Sequence, residues 1–351
     1  MEQYTRGIRP TPPSLVSEGK FNNGTFSRPF KIINPLDADC YPLPLPRMIK
    51  NLRLKEWQAY QMANDKFFIF AVLYKAKAVG LAQFFVYDRQ AKKKLLYEKI
   101  IPSHLIKLPA SLSNSTGYYS AGNYLIEYHN NIDNNRLDLR IRIHNHGQDL
   151  PDIDAEFCGL YDCHKWEPIV VALPFSQRRS MYSHKCLMPM AGTLSIGDQQ
   201  VVFDPNESCL IIDDHKGYYP FVTAYDWVTG IQYSGQQPLT GFNLTANQVM
   251  QPELYNENCL WLGGQVHPLP PVAFTRPHGV DNEWLIRDDY GMVDITFIPE
   301  AQGKIDMNLF IIKSYYRGPL GKFYGFIKDS SGTKNMVDDY FGMGEQKRVR
   351  L

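Results

Sequence analysis

The chain has 351 residues, with 37 basic against 36 acidic side chains and an aromatic content of 13%. Its length excludes a single small domain and suits either two domains of ordinary size or one large β domain. The even charge balance excludes a strong overall field for nucleic acid or an anionic membrane. No apolar run approaches the roughly 20 residues that cross a bilayer as a helix, so no stable membrane insertion is expected.

The first twenty residues, MEQYTRGIRPTPPSLVSEGK, lack the apolar core of a signal peptide, which sets a cytoplasmic location as the expectation. Residues 51–62 place Leu52, Leu54 and Trp57 where a short helical segment could seat against a barrel end. Long amphipathic helical patterns are otherwise nearly absent. Runs rich in Val, Ile, Phe and Tyr recur between turn signals instead, at 67–74 (FFIFAVLY), 79–87, 124–128, 137–143, 169–173, 200–203 and 294–298, and predict an all-β protein. The connectors HNNIDNN at 129–135 and RDDYG at 287–291 have hairpin chemistry, and Lys92, Lys93 and Lys94 suit a solvated hairpin tip.

Six cysteines, Cys40, Cys158, Cys163, Cys186, Cys209 and Cys259, form no Cys-x-x-Cys pair and are expected as free thiols. The grouping of Cys158, Cys163, His164, His184 and Cys186 has the residue types of a zinc site. Its spacing matches no compact knuckle, and no metal is expected. Around 150–190 the strand pattern is broken by HGQDLPDID and LPFSQRRSMYSHK, which predicts two domains, 1–170 and 171–351. The halves echo one another. An aromatic opens NYLIE (123–127) and EWLIR (283–287), and each is followed by a hairpin and a strand with Asp between aliphatics, LDLRI (137–141) and VDITF (293–297), which favours a duplicated barrel.

The stretch 209–227, CLIIDDHKGYYPFVTAYDW, concentrates the polar chemistry. A strand ending in Asp213 and Asp214 puts these carboxylates on opposite faces, so only one points into any given space. A carboxyl held among Tyr218, Tyr219, Tyr225 and Trp227 would have its pKa raised by desolvation and could act as a general acid, with His215 assisting. The alternative is a polar plug, with Asp tying down the turn while the aromatics close a barrel end. His184 and Lys185 either meet this motif across the barrel mouth or lie in a surface loop. Asn243 and Glu257 either bind ligand or satisfy buried backbone, and 256–258 could cap a barrel end before the apolar run that holds Trp261. Glu345 is expected in the last strand, paired with Lys347 or Arg348. Nucleophile elbows, phosphate loops, dinucleotide glycine patterns and His-Glu-x-x-His are missing from the sequence, and no cofactor is expected.

Several blocks resemble domain-of-unknown-function family 2804: 181–198, IIDDHKGYYPFVTAYDWVTG at 211–230, GFNLT at 241–245, YNENCLWLGG at 255–264, EWLIRDDYGMVDITFIPE at 283–300, and FYGFIKDSSG with FGMGEQKR near the end. That family is similar to tandem lipocalin-like proteins such as carotenoid 1,2-hydratases, tocopherol cyclases and AttH-like proteins. The resemblance implies two antiparallel lipocalin-like barrels with a few short helices, and barrels of about eight strands can hold a small ligand. It also implies, by analogy with the hydratases and cyclases, protonation of an isoprenoid double bond, although the motifs around the acid differ here. The expected function is binding of a hydrophobic small molecule, a lipid or isoprenoid, in a barrel cavity. The alternatives are a cofactor-free hydratase, cyclase or isomerase using an Asp acid, and an interaction scaffold with filled barrels.

Overall fold

The structure is a computed structural model that describes residues 4–76, 79–147, 149–232, 238–309 and 312–350. Its strands form two large sheets and a two-stranded one. The path of the first large sheet runs Lys93–Pro102, Val79–Asp88, Phe67–Lys75, Lys55–Ala63, Cys209–Gly217, Ser180–Ile196, Ile153–Gly159, Arg136–Ile143, Tyr124–Asn131 and Ser115–Ala121. The second runs Gln265–Pro268, Cys259–Leu262, Thr240–Ala246, Val222–Gln232, Lys334–Arg350, Leu320–Lys328, Val293–Ala301, Trp284–Arg287 and Ala273–Thr275. Pairing along both paths is antiparallel.

Each sheet curls round its own core, giving the tandem barrel-like, all-β architecture expected. In the first, the ends approach one another through a bridge between Lys107 and Tyr118 and through the Tyr124 hydroxyl, which donates to the carbonyls of Ala82 and Tyr97. The interiors are filled. Tyr60, Phe84, Tyr97, Tyr128 and Phe157 pack the first, and Phe242, Trp284, Phe297, Phe323 and Tyr340 pack the second.

A third apolar layer lies between the sheets, where Phe68, Phe70, Phe85 and Tyr87 meet Phe341 and Met343, and Ile169, Val171 and Ile211 meet Ile231, Cys259 and Trp261. This layer explains the unbroken apolar runs. In FFIFAVLY, Phe67, Ile69, Ala71 and Leu73 turn into the first barrel while Phe68, Phe70 and Val72 turn towards the second, so both strand faces are buried.

The strand expectations hold, as do the hairpin readings at 129–135 and 287–291, whereas of the three lysines expected at a hairpin tip Lys93 and Lys94 lie in the strand Lys93–Pro102, with Lys94 4.1 Å over the Phe85 ring. Asn135 takes the left-handed conformation at the end of 129–135, and the Asp288 carboxylate accepts from the Tyr290 and Val293 amides in 287–291. The echoing segments are matching hairpins, opened by the buried Tyr124 and Trp284. Residues 51–62 differ from expectation. The helix is Arg47–Arg53, and Lys55–Ala63 is a strand buried on both faces over Gln58–Ala63, because tertiary contact on two sides outweighs the local helical spacing. The expected division at 170/171 falls among strands of the first sheet. Apart from Val16–Ser17 and Lys20–Phe21, which pair with each other, strands up to Gly217 pair in that sheet, and pairing in the second begins at Val222. The loop residues at 150–190 mark connections within the first sheet, and the change of sheet takes only the four residues 218–221.

Candidate functional site

The strand Cys209–Gly217 sits centrally in the first sheet, between Lys55–Ala63 and Ser180–Ile196. Its register places Lys185 opposite Asp213 and Ser183 opposite His215, with Trp57 beside His215 and Ala59 beside Asp213 on the other side. Because strand side chains alternate, all of these project from one face, towards the second sheet. Asp214, Lys216, His184 and Gln58 project from the other, towards the first barrel, and Tyr182 on that face packs under the N-terminal segment.

The face towards the second sheet borders a cavity of about 340 Å³, within the range of small-molecule sites. Its walls are mainly apolar, with Phe70, Val72, Leu81 and Trp57 from the first sheet and Trp227 and Val349 from the second. Ligand space was expected inside a barrel; this cavity lies between the two. Closing each barrel on its own aromatic core leaves the concave gap outside both.

At one end of the cavity a charged cluster is almost wholly buried. The Lys185 ammonium donates to Asp213 Oδ1 at 2.5 Å and lies 3.6 Å from Glu257 Oε2. His215 Nε2 is 2.8 Å from Asp213 Oδ1, 2.9 Å from Ser183 Oγ and 3.7 Å from Glu257 Oε2, while Nδ1 is 3.2 Å from the Tyr219 hydroxyl. Trp57 stacks on the imidazole at 4.2 Å, fixing its plane. From the second sheet, Thr245 donates to Glu257 Oε1 at 2.8 Å, and among the described residues Glu257 Oε2 has no hydrogen-bond partner. Asn243 stands behind this wall, accepting from the Trp227 indole at 2.7 Å and donating to the Glu257 carbonyl.

Burial alone would raise the Asp213 carboxyl, but His215 and Lys185 outweigh it and hold the group well below the usual carboxylate range. Burial likewise works against the Lys185 charge, and Asp213 and Glu257 reverse it, lifting the ammonium above its ordinary value. A buried ionic cluster of this kind is weak evidence for stability and stronger evidence for a working site.

Further along the cavity, Glu345 accepts from the hydroxyls of Tyr225 at 2.8 Å and Tyr316 at 2.7 Å, and the Lys347 ammonium lies over the rings of Tyr74, Tyr225 and Tyr316. Burial, then the adjacent Glu345, raises both of these tyrosine hydroxyls well above their ordinary range.

Of the expected site residues, Asp213, His215, Lys185, Tyr219, Tyr225, Trp227 and Glu257 line the cavity together. Asp214 and His184 do not. Both are buried on the opposite face, so neither Asp faces solvent, and the carboxyl raised by burial is Asp214, inside the first barrel. His184 and Lys185 lie in neither a mouth nor a surface loop, being mid-strand partners of Asp214 and Asp213. Tyr218 packs with Phe26, Phe30 and Tyr182 beneath the N-terminal segment, and Trp261 belongs to the apolar layer between the sheets. Asn258 does cap, accepting from the Thr245 amide and donating to the Pro270 carbonyl. Sequence reasoning missed Trp57, Ser183, Thr245 and Tyr316, and gave Glu345 a different partner. They are scattered over 260 positions, and each sits in an ordinary alternating strand that carries no local signal.

Fold and site define an all-β protein of two antiparallel barrels with an apolar, ligand-sized cavity between them and a buried acid–base cluster in its wall. The chain belongs to the family described as domain of unknown function DUF2804, whose family model matches residues 8–351. A comparison with curated proteins finds no match. Among solved structures the chain is similar to kievitone hydratase from Nectria haematococca, with 9% identity and a TM-score of 0.48, covering 85% of this chain and 88% of that one. A second similarity is to OmpT, an outer membrane protein of Vibrio cholerae, with 7% identity and a TM-score of 0.13, covering 84% of this chain and 95% of that one.

Proposed function

We propose that this protein is a cofactor-free acid–base enzyme, of the hydratase, cyclase or isomerase class, acting on a lipid- or isoprenoid-like molecule held between the two barrels. The observation that carries this reading is Glu257 Oε2, a buried carboxylate oxygen without a hydrogen-bond donor, set beside Lys185 and His215 at the edge of an apolar cavity. A carrier needs the apolar walls and has no use for a buried carboxylate oxygen without a donor, whose burial is costly.

In this reading the acid role expected of Asp213 or Asp214 moves to His215 and Glu257. Asp213, held ionised, and Lys185, 2.9 Å from the same Nε2, hold one side of the imidazole, while Trp57 fixes the ring plane and Tyr219 faces the other nitrogen. His215 Nε2 and Glu257 Oε2, 3.7 Å apart, are then two proton sites that share one substrate. One delivers a proton to a double bond or carbonyl, and the other takes one from water or from the adjacent carbon. Lys185 offsets negative charge as it develops, and Trp227, with the ammonium 5.8 Å from its ring, can face a developing cation.

Native mass spectrometry and organic extraction of the purified protein identify the retained compound. On that compound, Glu257→Gln should keep binding and lose turnover by about 10²-fold or more. Full activity in Glu257→Gln would overturn the assignment, and retention without turnover by the wild type would make the protein a carrier.

A further inference from the structure

Residues 40–55, CYPLPLPRMIKNLRLK, hold four basic side chains, of which Arg47 pairs with Asp37 and the buried Lys50 lies 3.8 Å from Asp39. The short helix Arg47–Arg53 leaves Met48 and Leu52, one turn apart, 74% and 62% exposed, and Leu43 just before it is 73% exposed. The C-terminal end of this helix reaches Phe221, itself half exposed, where the guanidinium groups of Arg53 and Arg350 each lie 5.9 Å from the ring. Arg178 and Arg179 border a surface groove together with Cys40, Tyr41 and Pro42. Four segments far apart in sequence thus bring guanidinium groups and exposed apolar side chains to one end of the molecule. Positive charges press on one another there: burial, and then Lys347 and Arg53, push the Lys55 ammonium down to about 8.

The same end adjoins the cavity. Phe175, Thr223 and Val349 line it, and Arg178, Phe221 and Arg350 are their close chain neighbours. We infer that this face docks on an anionic lipid bilayer surface, with Leu43, Met48, Leu52 and Phe221 entering the interface and Arg53, Arg178, Arg179 and Arg350 meeting its phosphates. A soluble phosphate would answer the guanidinium groups and leave the apolar side chains in water. A bilayer surface presents an anionic layer with an apolar layer beneath it, which matches both. Docking there sets the cavity beside the phase in which an apolar ligand resides, and the inference goes beyond the acid–base reading without depending on it.

The test is co-sedimentation of the full chain with phosphatidylcholine vesicles and with phosphatidylcholine–phosphatidylglycerol vesicles at about three to one. The protein should bind the anionic vesicles and be released by high salt. The Met48→Ser/Leu52→Ser and Arg53→Glu/Arg350→Glu pairs should each weaken binding by about tenfold or more, while Val202→Ser, another exposed apolar position, should not. Equal binding to vesicles without phosphatidylglycerol, unchanged binding by both pairs, or no binding would overturn the inference. So would a dimer in solution that the pairs dissociate, which would make the face an interface between copies. Ligand retention and turnover, measured without vesicles, report separately on the cavity.

Discussion

His184 shows how much a single strand position decides. It lies on the face of Ser180–Ile196 opposite Lys185, fully buried, and among the described residues neither ring nitrogen has a hydrogen-bond partner. Burial, opposed by Asp213 and aided by Lys185, takes its pKa from 6.5 down to about 3. The folded state therefore refuses a proton that the unfolded chain accepts, so the stability is present above the unfolded value and drains away as pH falls towards the folded one. Between about pH 7 and about pH 5 this one residue should cost about 2 kcal/mol. His184→Gln should flatten the pH dependence of urea unfolding by that amount, whatever it does to stability at neutral pH. An unchanged slope would show that the imidazole is protonated in the fold. One residue along, Lys185 faces the cavity and its ammonium is held charged, so alternation alone gives adjacent residues opposite protonation behaviour.

At the scale of elements, the last strand, Lys334–Arg350, does two jobs. Its first half pairs with Leu320–Lys328 to complete the second barrel, and its second half runs beside Val222–Gln232, carrying Glu345, Lys347 and Val349 into the cavity wall. The crossing between these roles is crowded. A Cβ on Gly342 would sit 1.9 Å from the Thr229 carbonyl oxygen. Gly342→Ala should therefore cost about 2–3 kcal/mol in denaturant unfolding, since backbone rather than a flexible side chain must move. A cost below about 0.5 kcal/mol would mean that the two strands separate there easily. That the FGMGEQKR stretch ends the fold as a strand is legible from its sequence. That Glu345 meets two tyrosines rather than Lys347 or Arg348 is not, because Tyr225 and Tyr316 arrive from other strands.

At the scale of the whole molecule, the two barrels share a core. Phe341 packs on Phe68 and Tyr87, Glu167 accepts from the Val266 amide, and Arg6 near the N-terminus donates to the Asn258 carbonyl in the second half. Removing either half would expose the apolar layer of the other, so heat should unfold both in one transition, seen alike by tryptophan fluorescence and by circular dichroism. A compound that fills the cavity touches both halves and should stabilise them together, by about 2.7 kcal/mol at a hundredfold excess over its Kd. Two separated transitions, or a ligand that shifts only one, would contradict a shared core.

By itself the sequence determined the class of fold, most of the strands, the hairpins and the importance of residues 209–227, because alternation and turn chemistry are local and survive in one dimension. It also singled out Asp213, His215, Lys185 and Glu257. Only the tertiary structure decided which face each occupies and where the cavity lies. The expected barrel cavity lies between barrels because both interiors are taken by their own aromatics, a matter of summed volumes that no local pattern records. The near-zero net charge likewise hid a basic, apolar end assembled from residues near 50, 178, 221 and 350. Charges average out along a chain, and only folding brings those of one sign together.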